Sequence, residues 1–169
     1  LLKPMIDCCE EIGLKYIIFE DSDIKGVYKK HARSPSSIPF DFINLAQIIL
    51  RKFFRFIYKK PITENEIFFQ ESQIAKILKI LFFNKFSSKV YITLIWNNAT
   101  LWRCINPASC IVDYQHGIIF DGHNGYIKNG QPSKIKSANN ISTLVYGDIF
   151  KNLLIDNDKS GFYNEKNVI

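Results

Sequence analysis

Few of the signals that assign a small protein quickly are found in this chain. Four cysteines stand in 169 residues, with a single methionine and two tryptophans. Cys8, Cys9, Cys104 and Cys110 form no CxxC pair, and no His–Cys cluster has zinc-like spacing. The usual marks of a structural zinc site or a disulfide framework are therefore missing. The adjacent Cys8 and Cys9 do not readily bridge to each other, and reduced thiols in a cytosolic protein explain the count with least strain. There is no GxGxxG, GxxxxGK[ST], GxSxG or HExxH, so dinucleotide binding, P-loop chemistry, serine-hydrolase elbows and zincin chemistry lose their sequence signatures. No apolar run approaches the ~20 residues that cross a bilayer, and no signal peptide is visible. Alanine is scarce while Lys, Asn and Ile abound, a bias of base composition without functional content.

What is present is core material. Hydrophobic residues make up 47% of the chain and aromatics 14%, with fourteen Phe, which sets it apart from disordered sequences. The length suits one domain, or one lobe of a larger enzyme. The opening Leu1-Leu2-Lys3-Pro4 and the close on Asn167-Val168-Ile169 suggest a fragment or an excised lobe. The net charge of +6 is unevenly spread: Asp7, Glu10, Glu11, Glu20, Asp21 and Asp23 lie in residues 1–23, and Arg51, Lys52, Arg55, Lys59 and Lys60 in residues 51–60. The basic cluster predicts attraction to phosphates or an anionic surface, against the plainer alternative of a solvated helix face.

Along the chain, 4–13 reads as a helix stopped by Gly13, and Tyr16-Ile17-Ile18-Phe19 as a buried strand. A long loop over 20–40 is punctuated by Gly26, Ser34-Pro35-Ser36-Ser37 and Pro39. Asp41 can cap a helix running to about Lys59, with Phe42, Leu45, Ile49, Phe53 and Phe56 in one apolar stripe and Arg51, Arg55 and Lys59 in another. Pro61 ends it. Thr63-Glu64-Asn65-Glu66 forms a capping box for the next helix, whose buried side is Ile67, Ile74, Ile77, Leu78, Leu81 and Phe82. Residues 90–96 predict a central strand, 98–106 a brief helix or turn, and 110–114 a strand opening into Gln115-His116-Gly117. Residues 121–140 read as loop, 142–146 as a strand, and Asp148 to about Leu154 as a helix. Strands alternating with helices predict an α/β fold, a Rossmann-like parallel sheet flanked by helices, over a single domain 1–169.

Ligands of such sheets collect beyond the carboxyl ends of the strands. Trp96-Asn97-Asn98, Tyr114-Gln115-His116-Gly117 and Tyr146-Gly147-Asp148 all fall there. His116 is the candidate catalytic base, because a neutral imidazole accepts a proton from an attacking hydroxyl; the plain alternative is a loop histidine bonded to a carbonyl. Asp113 and Gln115 are candidates to orient that ring or to bind a polar substrate, and Gly117 to let the backbone turn tightly or approach a ligand closely. Along a strand Asp113 and Gln115 share one face and Tyr114 and His116 the other. His123-Asn124-Gly125-Tyr126 is a second polar cluster, with Tyr126 as a stacking platform or Asn124-Gly125 simply as a turn. Glu20, Asp21 and Asp23 form an acidic cluster that fits Mg²⁺, a sugar hydroxyl or plain solvation; the chain is expected to hold no metal. His31 has no assigned role.

The run Val112-Asp113-Tyr114-Gln115-His116-Gly117-Ile118-Ile119, followed by His123-Asn124-Gly125-Tyr126, Pro132 and Leu144-Val145-Tyr146-Gly147, resembles bacterial surface-polysaccharide glycosyltransferase-like proteins. Phe19-Glu20-Asp21, Pro39-Phe40-Asp41 and Leu50-Arg51-Lys52 add to the resemblance, which covers most of the chain. It implies a GT-B-like architecture of two Rossmann-like lobes, with this chain similar to the N-terminal, acceptor-side lobe and the donor nucleotide bound mainly by the other. The more distant CDP-glycerol glycerophosphotransferases carry a similar His-Gly whose His is taken as the base. Here Tyr-Gln precedes His-Gly, where that group usually has Trp.

The expected function is transfer of a sugar or glycerophosphate group from a nucleotide-activated donor to a glycan or lipid-linked acceptor hydroxyl, in capsule or other cell-envelope polysaccharide biosynthesis. His116 would be the base, with Asp113, Gln115, Gly117, His123 and Tyr126 on the substrate side. No tightly bound cofactor is expected, and the location is cytoplasmic, peripheral at the inner membrane face. Contact with anionic lipid would run through Arg51, Lys52, Arg55, Lys59 and Lys60, on a helix expected to lack a large exposed hydrophobic face. The competing reading is a non-catalytic binding or scaffold lobe without the donor domain; nucleic-acid binding ranks last, for want of aromatic–basic interleaving.

Overall fold

A computed structural model describes residues 3–20, 36–58, 63–93, 98–115, 117–120, 122–123 and 125–169. The chain divides into two compact units, 1–49 and 50–169. In the first, α1 (Lys3–Glu11) ends in a left-handed Gly13 with φ +68°, the ordinary helix stop. Strand β1 (Phe19–Glu20) pairs in parallel with β2 (Ile38–Pro39), and Phe19 meets the buried Phe40 edge to face at 5.7 Å. The buried strand expected over 16–19 is thus reduced to its last residue, with Tyr16 and Ile17 exposed. Its partner is two residues long and includes Pro39, which has no N–H to extend the ladder. Asp21, Asp23 and His31 lie outside the described residues.

Helix α2 (Asp41–Tyr58) starts at the expected residue. It buries Ile43 and Gln47, while Phe42, Leu45, Ile49, Phe53 and Phe56 are all exposed. The expectation that this helix lacks a large exposed hydrophobic face is therefore corrected. Periodicity showed that the five share a face; it carried no information on what that face meets.

The second unit opens its next helix, α3 (Glu64–Phe82), on the anticipated capping box. Thr63 Oγ1 accepts from the Glu66 N–H at 3.2 Å, and Glu66 Oε2 accepts from the Thr63 N–H at 2.9 Å. Gln70, Ile74, Ala75 and Leu78 are buried, and Leu81 and Phe82, expected on that side, are exposed. Arg51 of α2 makes a two-pronged contact with Glu71 at 2.7 and 2.9 Å, the geometry in which a surface pair is best ordered.

Strands β3 (Val90–Thr93), β4 (Cys110–Tyr114) and β7 (Ser142–Leu144) form a parallel sheet in the order β3-β4-β7. Short helices α4 (Ala99–Ile105) and α5 (Lys134–Ala138) lie in the connections, and α6 (Asp148–Asn157) follows β7. Residues 167–169 continue the sheet beside β7: Thr143 N–H donates to Asn167 O and Ile169 N–H to Thr143 O, with a parallel bridge Thr143–Val168. The fold is mixed α/β with parallel strands flanked by helices, as expected. Among the described residues, however, β3 is an edge strand, with Val90 and Ile92 half exposed, and β4 is central. Register pairs Ile92 with Val112 and Ser142 on one face, and Thr93 with Asp113 and Thr143 on the other. Tyr91 anchors β3 inward, stacked on Trp102 of α4 at 5.1 Å. The four cysteines are free.

The stretch 121–140, expected to be loop, contains a hairpin and a helix. Strands β5 (Ile127–Lys128) and β6 (Gln131–Pro132) pair antiparallel across Asn129-Gly130, at φ +55° and +73°. Positive φ at both turn positions is what Asn-Gly supplies in a tight hairpin. Ser133 then caps α5, its Oγ accepting from the Lys136 N–H at 3.3 Å. Packed below the hairpin are Ile119, Tyr126, Ile127, Leu154, Tyr163 and Val168.

A methyl group at Gly130 would sit 2.7 Å from Cδ of Lys159, a flexible side chain that can yield, so the positive φ decides the cost. Gly130→Ala is expected to lower stability by about 1–2 kcal/mol, read as a lower urea midpoint at unchanged m-value; an unchanged midpoint would show that the turn is not held in this conformation.

Candidate functional site

The carboxyl ends of β4 and β7 are tied together by one side chain. Gln115 is completely buried. Its backbone N–H donates to Leu144 O at 2.8 Å, its Nε2 donates to Gly117 O at 2.7 Å, and its Oε1 accepts from the Tyr146 N–H at 2.7 Å. Both ends of the amide are thereby used, and the loop after β4 is fixed against the loop after β7. On the other face of the strand ends, Tyr114 and Tyr146 meet edge to face at 5.5 Å, and Tyr146 is partly open to solvent. Alternation does the sorting: Asp113 and Gln115 are buried and Tyr114 is half-buried.

Asp113 is also completely buried, and its partner is a lysine that no local motif singles out. Lys136 Nζ forms an ion pair with Asp113 Oδ2, donates to Thr143 Oγ1 at 3.2 Å, and lies 4.0 Å from the centre of the Tyr126 ring. Neither charged side chain has any exposed surface. Burial pushes the Lys136 pKa down; the Asp113 carboxylate opposes that shift without cancelling it. Asp113 Oδ1 and the Tyr126 hydroxyl are buried, and among the described residues neither has a hydrogen bond of normal geometry. The Tyr126 pKa is raised, first by burial and then by the neighbouring charge of Asp113. Tyr163 donates its hydroxyl to Tyr126 O at 2.9 Å, and its pKa is raised by the same two causes in the same order.

The candidate residues therefore separate. His116, the candidate base, and Asn124 lie outside the described residues, as does Trp96 at the end of β3. Asp113 in β4 and Gln115 just beyond it are both buried; Gln115 spends both ends of its amide internally, and Asp113 gives Oδ2 to Lys136. Tyr126 is buried under Lys136, so its ring faces a cation of the same chain and offers no solvent-facing stacking platform. His123 is half-buried, its Nδ1 accepting from the Gly125 N–H at 3.1 Å, and its ring lies 5.1 Å from that of Tyr126. Gly117 is exposed, without a positive φ, and a Cβ there would meet nothing within 4 Å.

Lys136, Thr143 and Tyr163 carried no usable signal, since nothing in Lys134-Ile135-Lys136 distinguishes the buried lysine from the exposed one. Among the described residues no group of three or more His, Cys, Asp or Glu is placed to hold a metal ion. An open cleft of about 390 Å³ lies between the start of α3 and the hairpin, lined by Glu64, Lys128, Asn129, Gln131, Pro132 and Ser133; it includes none of the strand-end residues. The chain matches no family model, no curated protein and no solved structure.

Removing one member of a buried pair strands the other charge. Lys136→Met is expected to destabilise the second unit by about 3–5 kcal/mol, and Asp113→Leu/Lys136→Met to recover most of that loss; equal losses in single and double variants, by chemical denaturation, would contradict the pairing. The tyrosines set an alkaline limit. Above the ordinary tyrosine value of 10.0 the unfolded chain releases protons that folded Tyr126 and Tyr163 retain, so the folded state binds more protons and stability falls as pH rises. Ultraviolet titration should show these two ionising only together with unfolding, and Tyr163→Phe should remove one of them; ionisation of all eight tyrosines in the folded state would refute their burial.

Proposed function

We propose that this chain is the acceptor-side part of a glycosyl- or glycerophosphoryl-transfer enzyme of cell-envelope polysaccharide assembly, with the acceptor held beyond the carboxyl ends of β4 and β7. The observation that carries the reading is the Gln115 clamp. It joins Gln115 to Gly117 and to Tyr146 at the carboxyl end of the sheet, where open α/β folds bind ligands. The resemblance of the Gln115-His116-Gly117 stretch to polysaccharide glycosyltransferase-like proteins supplies the reaction class.

In this reading the His116 imidazole accepts the proton of an acceptor hydroxyl. The hydroxyl oxygen forms a bond to the anomeric carbon of a nucleotide sugar, or to the glycerol-bearing phosphorus of a CDP-glycerol-type donor. The bond from that atom to the nucleotide breaks, and the nucleotide departs with the electron pair. Donor binding falls mainly to a second lobe, and the chemistry belongs on the cytoplasmic side, where the acceptor is a glycan or lipid-linked glycan. Gln115 acts as a positioning residue, and Asp113 with Lys136 holds the strand that presents the turn.

A second reading, a non-catalytic binding or scaffold lobe, draws on a specific observation: three of the five proposed substrate residues, Asp113, Gln115 and Tyr126, are buried. The two separate in one experiment. In the full-length protein, assayed with labelled nucleotide sugars and CDP-glycerol against membrane-extracted acceptors, His116→Ala should cut turnover about 10²–10⁴-fold with an unchanged circular dichroism spectrum. Wild-type turnover in that variant would remove His116 from the mechanism, and acceptor binding without turnover in the wild type would establish the scaffold reading.

A further inference from the structure

Helix α2 turns an apolar stripe outward. Leu45, Ile49, Phe53 and Phe56 follow one another at helical spacing, and all are more than half exposed, Phe56 at 90%. The stripe runs about 16 Å along the axis at the usual rise per residue. The opposite side of the same helix carries the buried Ile43 and Gln47, so the outward stripe is additional to the face that packs.

Its charge is one-sided. Between residues 42 and 58 the helix contains Arg51, Lys52 and Arg55 and no acid. Lys52 and Arg55 are exposed, and on a helical projection they border one edge of the stripe. An exposed apolar strip of this size is unusual on a surface that faces only water. Edged with bases, it matches the headgroup region of an anionic bilayer, where phenylalanine and leucine enter the acyl boundary and lysine and arginine meet phosphate. No described helix is long and apolar enough to cross a membrane, so the contact is in-plane.

We infer that α2 is an interfacial anchor that seats the protein on an anionic lipid surface through Leu45, Ile49, Phe53 and Phe56, with Lys52 and Arg55 on the phosphates. An acidic protein groove would satisfy part of the same pattern, but Lys52 and Arg55 stand one turn apart beside the exposed Phe53 and Phe56, and side-by-side apolar insertion and headgroup charge is what a bilayer surface accepts. The contact requires no transfer chemistry and stands or falls separately from the proposed reaction.

Co-sedimentation of the full chain with vesicles tests it. Phosphatidylcholine vesicles containing phosphatidylglycerol should bind the protein, pure phosphatidylcholine vesicles much less, and added salt should weaken the binding. Lys52→Gln/Arg55→Gln should weaken partition roughly thirtyfold. Phe53→Ser/Phe56→Ser should abolish it at an unchanged thermal midpoint, which is expected because both side chains are exposed. Absence of binding to either vesicle, equal binding to both, or binding unchanged in the serine variant would overturn the inference. So would a solution dimer that the serine variant dissolves while neither protein binds vesicles.

Discussion

Lys136 and Asp113 meet in a place from which water is excluded, and the layout of the second unit follows from holding them there. Two charges taken out of water gain little net stability from their attraction alone, because desolvation offsets most of it. What they impose is arrangement. Asp113 is on the central strand, Thr143 is its register partner on the next, and Lys136 reaches both from α5. A strand slipped by one residue would turn Asp113 to the opposite face and leave the ammonium group unmatched. The tyrosines complete the enclosure, with the Tyr126 ring against the ammonium and Tyr163 held to the Tyr126 backbone. The pair thus specifies register more than it adds stability.

That arrangement bears on the strand ends. With β4 and β7 locked in register at Asp113 and Thr143, Gln115 reaches Leu144, Tyr146 and Gly117 together. Gln115 and Gly117 are then held by side-chain hydrogen bonding two and four residues beyond a buried charge. Arg103 performs a comparable service at the other end of the strand, giving its guanidinium to the carbonyls of Pro107, Ser109 and Asn139 and so closing the turn into β4.

The legibility of the chain followed the range of the forces involved. Helix starts depend on a few adjacent residues, and Asp41 and the Thr63–Glu66 box were readable for that reason. Strand β4 was also plain, as a short apolar run ended by polar residues. The hairpin at 127–132 was hidden because two-residue strands show no alternation, although Asn129-Gly130 was a turn signal in open view. The position of β3 at an edge, and the outward face of α2, depend on neighbours that periodicity does not name. At the candidate site, alternation correctly separated Asp113 and Gln115 from Tyr114. The partner of Asp113 lies 23 residues away, on a helix of five residues, and no local pattern connects the two.

The last lane of the sheet has a consequence for synthesis. Val168 is fully buried in the cluster with Tyr126, Ile127 and Leu154, and the backbone of residues 167–169 pairs with Thr143 and Val145. A ribosome that has delivered β7 and α6 has still not delivered the strand that covers them. Until residues 167–169 clear the exit tunnel, the nascent chain exposes an unfinished parallel edge and an open apolar pit, so closure of this unit waits on the segment that pairs last, and any helper that shields emerging segments would find its binding surface there.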